Sequence, residues 1–226
     1  MDFTEGHIYH VYNRGNNSQT VFFSRENYLF FLEKLRKYFL PHADVLAWCL
    51  MPNHFHLMIS VKQIMVPISE QVTQSHLLTK TRSLNDSISI LLRSYTRAIQ
   101  KQERMTGSLF QNRTKALCLT GPQGVSPAYF NTHFGMMGNL DLPETNYLNV
   151  CFDYIHLNPV SARLVAEPEN WEFSSYRDYF CGRKGRLINR ELAKELGLID
   201  EHNSSDELSA LDPMTRVHRI NTKDFN

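Results

Sequence analysis

Between His54 and Val61 the chain alternates with a period of two. Phe55, Leu57, Ile59 and Val61 fall on one face of a strand, and His54, His56, Met58 and Ser60 fall on the other. The preceding run Val45–Leu50 predicts a second strand. Met51-Pro52-Asn53 between them carries turn chemistry, so the two strands form an antiparallel hairpin. Upstream, His7–Gly15 is β-rich and ends at a glycine turn. Ser24 is placed to cap a helix over Arg25–Phe39, whose apolar residues Tyr28, Phe31, Leu32, Leu35 and Phe39 repeat at three and four before Pro41 stops it.

Downstream, residues 62–82 show no clear period and read as a loop or short helix. Asp86 is a candidate cap for a helix from Ser87 to Arg104, with Ile88, Leu91, Leu92, Tyr95 and Ile99 inward. Leu109–Leu119 predicts a strand. Residues 120–143 predict a loop longer than is usual inside a domain. Thr145 or Asn146 caps a helix over Tyr147–Leu157, halted at Asn158-Pro159. A short helix over Asn189–Leu196 precedes a polar tail beyond Glu201. The order strand–helix–strand–strand–helix–strand predicts an α+β fold, a ferredoxin-like antiparallel sheet with helices packed on one face. Residues 1–165 would form this domain and 166–226 a C-terminal extension. In that order the His54–Val61 strand is central or nearly so, and its histidine face must look at a helix or a groove.

Composition changes this picture little. The 226 residues are 42% apolar and 21% charged, as in a globular protein, and no apolar run is long enough for a membrane span. The N-terminus has no signal-peptide pattern, and the four cysteines are widely spaced, which together point to the cytoplasm. Charge is informative in its distribution. Arg93, Arg97, Lys101, Arg104, Arg113 and Lys115 face only Glu103 in the same stretch, a local +5 hidden in a net charge of +1. Such a stripe suits a polyanion, although a solvated helix face explains a charge run equally well.

The chemistry gathers on two elements. His54 and His56 project side by side, about 7 Å apart along a strand. Two neutral imidazoles so held are half of a metal site, or simply two polar residues on a solvated strand face. Tyr154 and Asn158 are four apart and share a helix face. A divalent cation on His54, His56 and the Asn158 amide oxygen would polarise a phosphodiester, and Tyr154 would attack phosphorus in line. Asn158 before a proline also fits a backbone cap. Tyr95, in Arg93-Ser94-Tyr95-Thr96-Arg97, is a rival nucleophile.

His54-Phe55-His56 resembles the HUH motif, and the chain as a whole resembles the HUH-type single-tyrosine transposases of the single-strand insertion-sequence kind, closest to their REP-associated branch. Met51-Pro52-Asn53-His54-Phe55-His56 and Tyr154-Ile155-His156-Leu157-Asn158-Pro159-Val160 carry the likeness together, with Gly107–Arg113 and Trp171–Tyr176 in support. The resemblance implies Tyr154 as nucleophile, His54, His56 and Asn158 as ligands of Mg²⁺ or Mn²⁺, and single-stranded DNA with hairpin ends as substrate. It leaves homodimer and monomer open. Arg14, Arg93, Arg97, Lys101, Arg104, Arg113 and Lys115 are the expected phosphate contacts, and Tyr12, Tyr95 and Phe110 the expected stacking surfaces. His7, His10 and His156 read as structural or surface residues. Two other functions fit the same residues: a non-catalytic hairpin-binding protein, and a metal-dependent hydrolase that uses water in place of Tyr154.

Overall fold

The sheet forms because β-branched and aromatic residues alternate along four short segments whose apolar sides need the same cover. In the computed structural model, which describes residues 1–72, 77–120, 129–132, 135–138 and 144–199, the chain runs β1 (Ile8–Arg14), α1 (Arg25–Tyr38), β2 (Ala43–Met51) and β3 (His54–Val61). A hairpin of β4 (Met65–Val72) and β5 (Leu77–Ser83) follows, then α2 (Leu84–Glu103) and β6 (Lys115–Cys118). A second hairpin, β7 (Tyr129–Thr132) and β8 (Gly135–Gly138), precedes α3 (Glu144–Ser161), α4 (Tyr176–Phe180) and α5 (Arg190–Glu195). The main sheet has the order β2-β3-β1-β6 with every pair antiparallel, which is the ferredoxin-like order. The α+β class therefore follows the sequence reading, and β3 is internal.

Its two faces are covered differently. Phe55, Leu57, Ile59 and Val61 join Val11, Phe31, Leu35, Leu91 and Tyr95 in one core, so α1 and α2 form the helix layer on that side. Met58 joins Ile8, Cys49, Met51, Cys151, Phe152 and Ile155 in a second core, so α3 covers the histidine face and helices pack on both faces of the sheet, not on one as the sequence reading has it. Strand β2 reaches both cores through a bulge. Val45 pairs with Ile59 but Ala47 pairs with Met58, leaving Leu46 as the extra residue. One extra residue inverts the alternation. Accordingly Ala43 and Val45 before the bulge, and Trp48 and Leu50 after it, all face the first core.

Several element boundaries differ from the sequence reading. Where the sequence reading has a loop or short helix over 62–82, the chain forms the β4–β5 hairpin, in which Val66 is buried while Met65 and Ile68 are exposed. Helix α2 begins earlier because Ser83 is its cap. The Asp86 amide donates to Ser83 Oγ at 3.0 Å and the Ser83 backbone N–H donates to the Asp86 carboxylate at 3.4 Å, a capping box, which the Ser83 hydroxyl reinforces by donating to the same carboxylate at 2.7 Å. Helix α3 continues through Pro159 to Ser161 and closes with Leu164 N–H donating to the Pro159 carbonyl at 3.0 Å, so Asn158-Pro159 does not end it. Strand β6 is shorter than 109–119, because Leu109 and Phe110 are drawn into the core ahead of it.

The segment after α3 returns to the outer edge of β2. Leu50 N–H donates to the Phe173 carbonyl at 2.8 Å, Ser175 N–H to Trp48 at 2.8 Å, and Asn189 N–H to Val45 at 2.8 Å. This covers an edge that would otherwise be free to pair. Buried Asp178 is held by the Arg183 guanidinium at 2.6 Å. The tail beyond Glu201 lies outside the described residues. No helix among the described residues is long and apolar enough to cross a membrane.

The two-faced strand has a direct stability consequence. Leu57→Ala, at a position with no exposure, is expected to cost about 2–5 kcal/mol in urea unfolding. Ser60→Ala on the other face is expected to change stability by less than about 0.5 kcal/mol. Equal effects at the two positions would contradict the assignment of the faces.

Candidate metal and tyrosine site

Strand β3 presents His54 and His56, α3 presents Tyr154 and Asn158, and the packing of α3 on the second core brings the two pairs together. His54 Nε2 lies 3.3 Å from Asn158 Oδ1. The Tyr154 ring stands edge-on to His56 with centroids 5.3 Å apart. Asn158 and His56 are buried, while His54 and Tyr154 are half-buried.

Hydrogen bonds fix how His54 presents its nitrogens. Asn53 Nδ2 donates to the Ser18 carbonyl at 3.3 Å, which turns Asn53 Oδ1 toward His54 Nδ1 at 2.6 Å. An amide oxygen only accepts, so His54 carries its proton on Nδ1 and its Nε2 is bare. That bare nitrogen faces a second acceptor, Asn158 Oδ1. Protonating His54 would reconcile the two atoms, but burial holds its pKa down to about 4, with Arg14 lowering it further against the raising effect of Asn158. Two lone pairs facing across 3.3 Å suit a cation between them: ligands about 2.1 Å from an octahedral ion lie about 3 Å apart. His56 Nε2 is also buried without a hydrogen-bond partner. Among the described residues no three His, Cys, Asp or Glu side chains converge as metal ligands. The donor set is therefore two imidazoles and an amide, which fits a divalent cation that keeps open positions for substrate oxygens.

Burial pushes the Tyr154 phenol up to about 12, and a hydrogen bond from the Asn158 side chain works against that rise. Tyr154 is thus a neutral hydroxyl on the same helix face as Asn158, one turn on. Tyr95 has no comparable setting. It is fully buried on the opposite side of the sheet, packed against Phe31, and donates to the Val21 carbonyl at 2.7 Å. The rival nucleophile is a core residue. Phe110 is likewise buried there, so of the three expected stacking aromatics only Tyr12 is open to a ligand.

The basic residues separate into groups. Arg14 pairs with His54 across β1 and β3, and Lys115 pairs with Tyr12 with its ammonium 5.7 Å from the ring. Both flank the histidine face. Arg93, Arg97 and Lys101 are exposed on α2, in the layer on the other side of the sheet. Arg104 caps α2 in a left-handed conformation, and Arg113 is exposed ahead of β6. The stripe seen in sequence does not converge on Tyr154.

Two site residues escape sequence reasoning. Asn53 reads as turn chemistry, and its role toward His54 depends on contact with Ser18, 35 residues away. His10 reads as structural, yet its Nε2 lies 2.9 Å from His56 Nδ1 and its ring stacks on Tyr12. The available signal is the alternation of His10 and Tyr12 against Tyr9 and Val11, combined with the strand order that sets β1 beside β3.

Burial makes the histidines a source of acid sensitivity. His10 is lowered to about 3, His54 to about 4, His156 to about 3, and His56 well below its usual value, in each case chiefly by desolvation. The unfolded chain takes up these protons near pH 6.5 while the folded protein does not, so stability is complete above about 6.5 and is lost as pH falls. Urea unfolding at pH 5.5, where carboxylates remain ionised, is expected to give a free energy at least about 2 kcal/mol below that at pH 7. A stability unchanged over this interval would contradict the neutral, buried state of these rings.

No family model matches the chain, and no curated protein matches it. A solved structure of a REP-associated tyrosine transposase bound to a REP hairpin is similar over 90% of this chain and 94% of that one, with 14% identity and a TM-score of 0.48. A likeness this distant leaves the chemistry of the site to its own residues.

Proposed function

We propose that the protein cuts and rejoins single-stranded DNA through Tyr154, at substrates bearing hairpins and with Mg²⁺ or Mn²⁺ as cofactor. The observation that supports this best is the placement of Tyr154 beside Asn158, whose amide oxygen meets the bare Nε2 of His54. The motif resemblance supplies the substrate class. His54, His56 and Asn158 would hold the cation, which when bound polarises the phosphodiester as a Lewis acid.

The remaining work belongs to the chain. Strand β3, held between two partners, fixes the imidazoles, and Asn158 orients the Tyr154 oxygen. That oxygen attacks phosphorus and gives up its phenolic proton as the O–P bond forms. The bond from phosphorus to the 3′ oxygen breaks, and the departing oxygen takes up a proton. The products are a 5′-phosphotyrosine and a free 3′-hydroxyl, with no net proton released. Attack of a 3′-hydroxyl on the phosphotyrosine reverses these steps and joins two ends without a nucleotide cofactor, because the phosphodiester energy is kept in the tyrosine ester. Arg14 and Lys115 would meet phosphates beside the scissile bond, and Tyr12 would stack on an unpaired base. The α2 residues Arg93, Arg97 and Lys101 would engage a different stretch of DNA.

Incubation with hairpin-bearing single-stranded DNA and Mn²⁺ is expected to yield a covalent protein–DNA adduct on denaturing gels. Tyr154→Phe should abolish it. Tyr95→Phe should keep it while losing about 1–3 kcal/mol of stability, because the Val21 carbonyl is left unpaired. An adduct that survives Tyr154→Phe would overturn the assignment of the nucleophile. Hairpin binding by the wild type with no adduct would favour the non-catalytic hairpin-binding reading.

A further inference from the structure

His10 and His56 share one hydrogen bond, His10 Nε2 to His56 Nδ1 at 2.9 Å, with nearly parallel rings inclined by 27°. Between two neutral imidazoles only one proton lies in that bond, so two arrangements exist. In the first, His56 donates through Nδ1 and its Nε2 is bare. In the second, His10 donates, and His56 carries its other proton on Nε2. The two atoms left without partners are His56 Nε2 and His10 Nδ1. Either arrangement therefore leaves one ring N–H unpaired. The first leaves it on His10; the second leaves it on the atom needed as a ligand.

We propose that His10 is a positioning residue for His56: it accepts the Nδ1 proton and so keeps His56 Nε2 bare alongside His54 Nε2 and Asn158 Oδ1. The inference rests on the metal reading above and extends it to a buried residue outside the proposed ligand set. It gives the two histidines parallel support from different parts of the chain. Asn53 Oδ1 lies 2.6 Å from His54 Nδ1 and can only accept, and in the first arrangement His10 Nε2, 2.9 Å from His56 Nδ1, accepts likewise. Each partner fixes a tautomer and a ring orientation, as residues one step removed from a metal commonly do. His10 is itself held by stacking on Tyr12 at 4.8 Å and by its place on β1, where it pairs with Met58 of β3. Its position is therefore set before any ligand arrives.

The test uses the full chain in two measurements. Nitrogen-15 shifts of the imidazoles, recorded on metal-free wild type, report which ring nitrogen of His56 carries the proton. The expected result is a protonated Nδ1 and a bare Nε2; a protonated Nε2 would overturn the proposal. Calorimetric titration with Mn²⁺ then compares wild type, His10→Phe and His10→Gln. His10→Phe fills the space without an acceptor and is expected to weaken Mn²⁺ binding about 10-fold or more, whereas the amide oxygen of His10→Gln restores most of it. Equal affinity in all three folded proteins would overturn the proposal. If His10→Phe does not fold, His10→Gln and the nitrogen shifts still decide. Absence of Mn²⁺ binding by wild type would defeat the metal reading instead, and the metal-free nitrogen shifts would still settle the role of His10.

Discussion

Everything in the site depends on β3 being held between two antiparallel partners with one face committed to an aromatic core. Once Phe55, Leu57, Ile59 and Val61 are buried, a period of two leaves no freedom in where His54 and His56 point. A slip of one residue would exchange the two sets, so hydrophobic burial itself protects the register of the imidazoles. The same constraint brings α3 into place, because Met58 on the histidine face needs cover and Cys151, Phe152 and Ile155 supply it. Tyr154 and Asn158 reach the histidines as a consequence of that packing.

Electrostatics then turns the arrangement from a shelf into a candidate metal site. A half-buried imidazole with its proton tied to Asn53 and its lone pair facing an amide oxygen is unfavourable unless a cation lies between them. Burial prevents protonation from relieving it. The same burial raises Tyr154, the proposed nucleophile, further above the ordinary phenol range, so its hydroxyl stays neutral. Stability at low pH is the cost of this design.

The parts of the molecule legible in sequence are those set by local period and spacing. The His54–Val61 alternation, the i, i+4 relation of Tyr154 and Asn158, and the order of the main-sheet strands with α1, α2 and α3 all follow from residues close together in the chain, whereas the β4–β5 and β7–β8 hairpins fall where the sequence reads as loop. What was not legible depends on pairing across the sheet or on apolar residues that do not share one face. The contact of His10 with His56 needs β1 beside β3. In the β4–β5 hairpin Val66 is buried while Met65 and Ile68 are exposed, so its apolar residues do not mark one face. The β2 bulge at Leu46 inverts a pattern that sequence alone reads as one uninterrupted strand. Tyr95 looks like a nucleophile beside arginines because helical spacing does not say which side of the sheet α2 covers. Its Arg93, Arg97 and Lys101 share that ambiguity.

The central claim is that His54, His56 and Asn158 hold a divalent cation next to Tyr154. Crystals grown with Mn²⁺ and measured at a wavelength where manganese scatters anomalously test it most directly. The account predicts a single strong anomalous peak in contact with His54 Nε2, His56 Nε2 and Asn158 Oδ1. A map with Mn²⁺ bound elsewhere and no peak at these three atoms would contradict it.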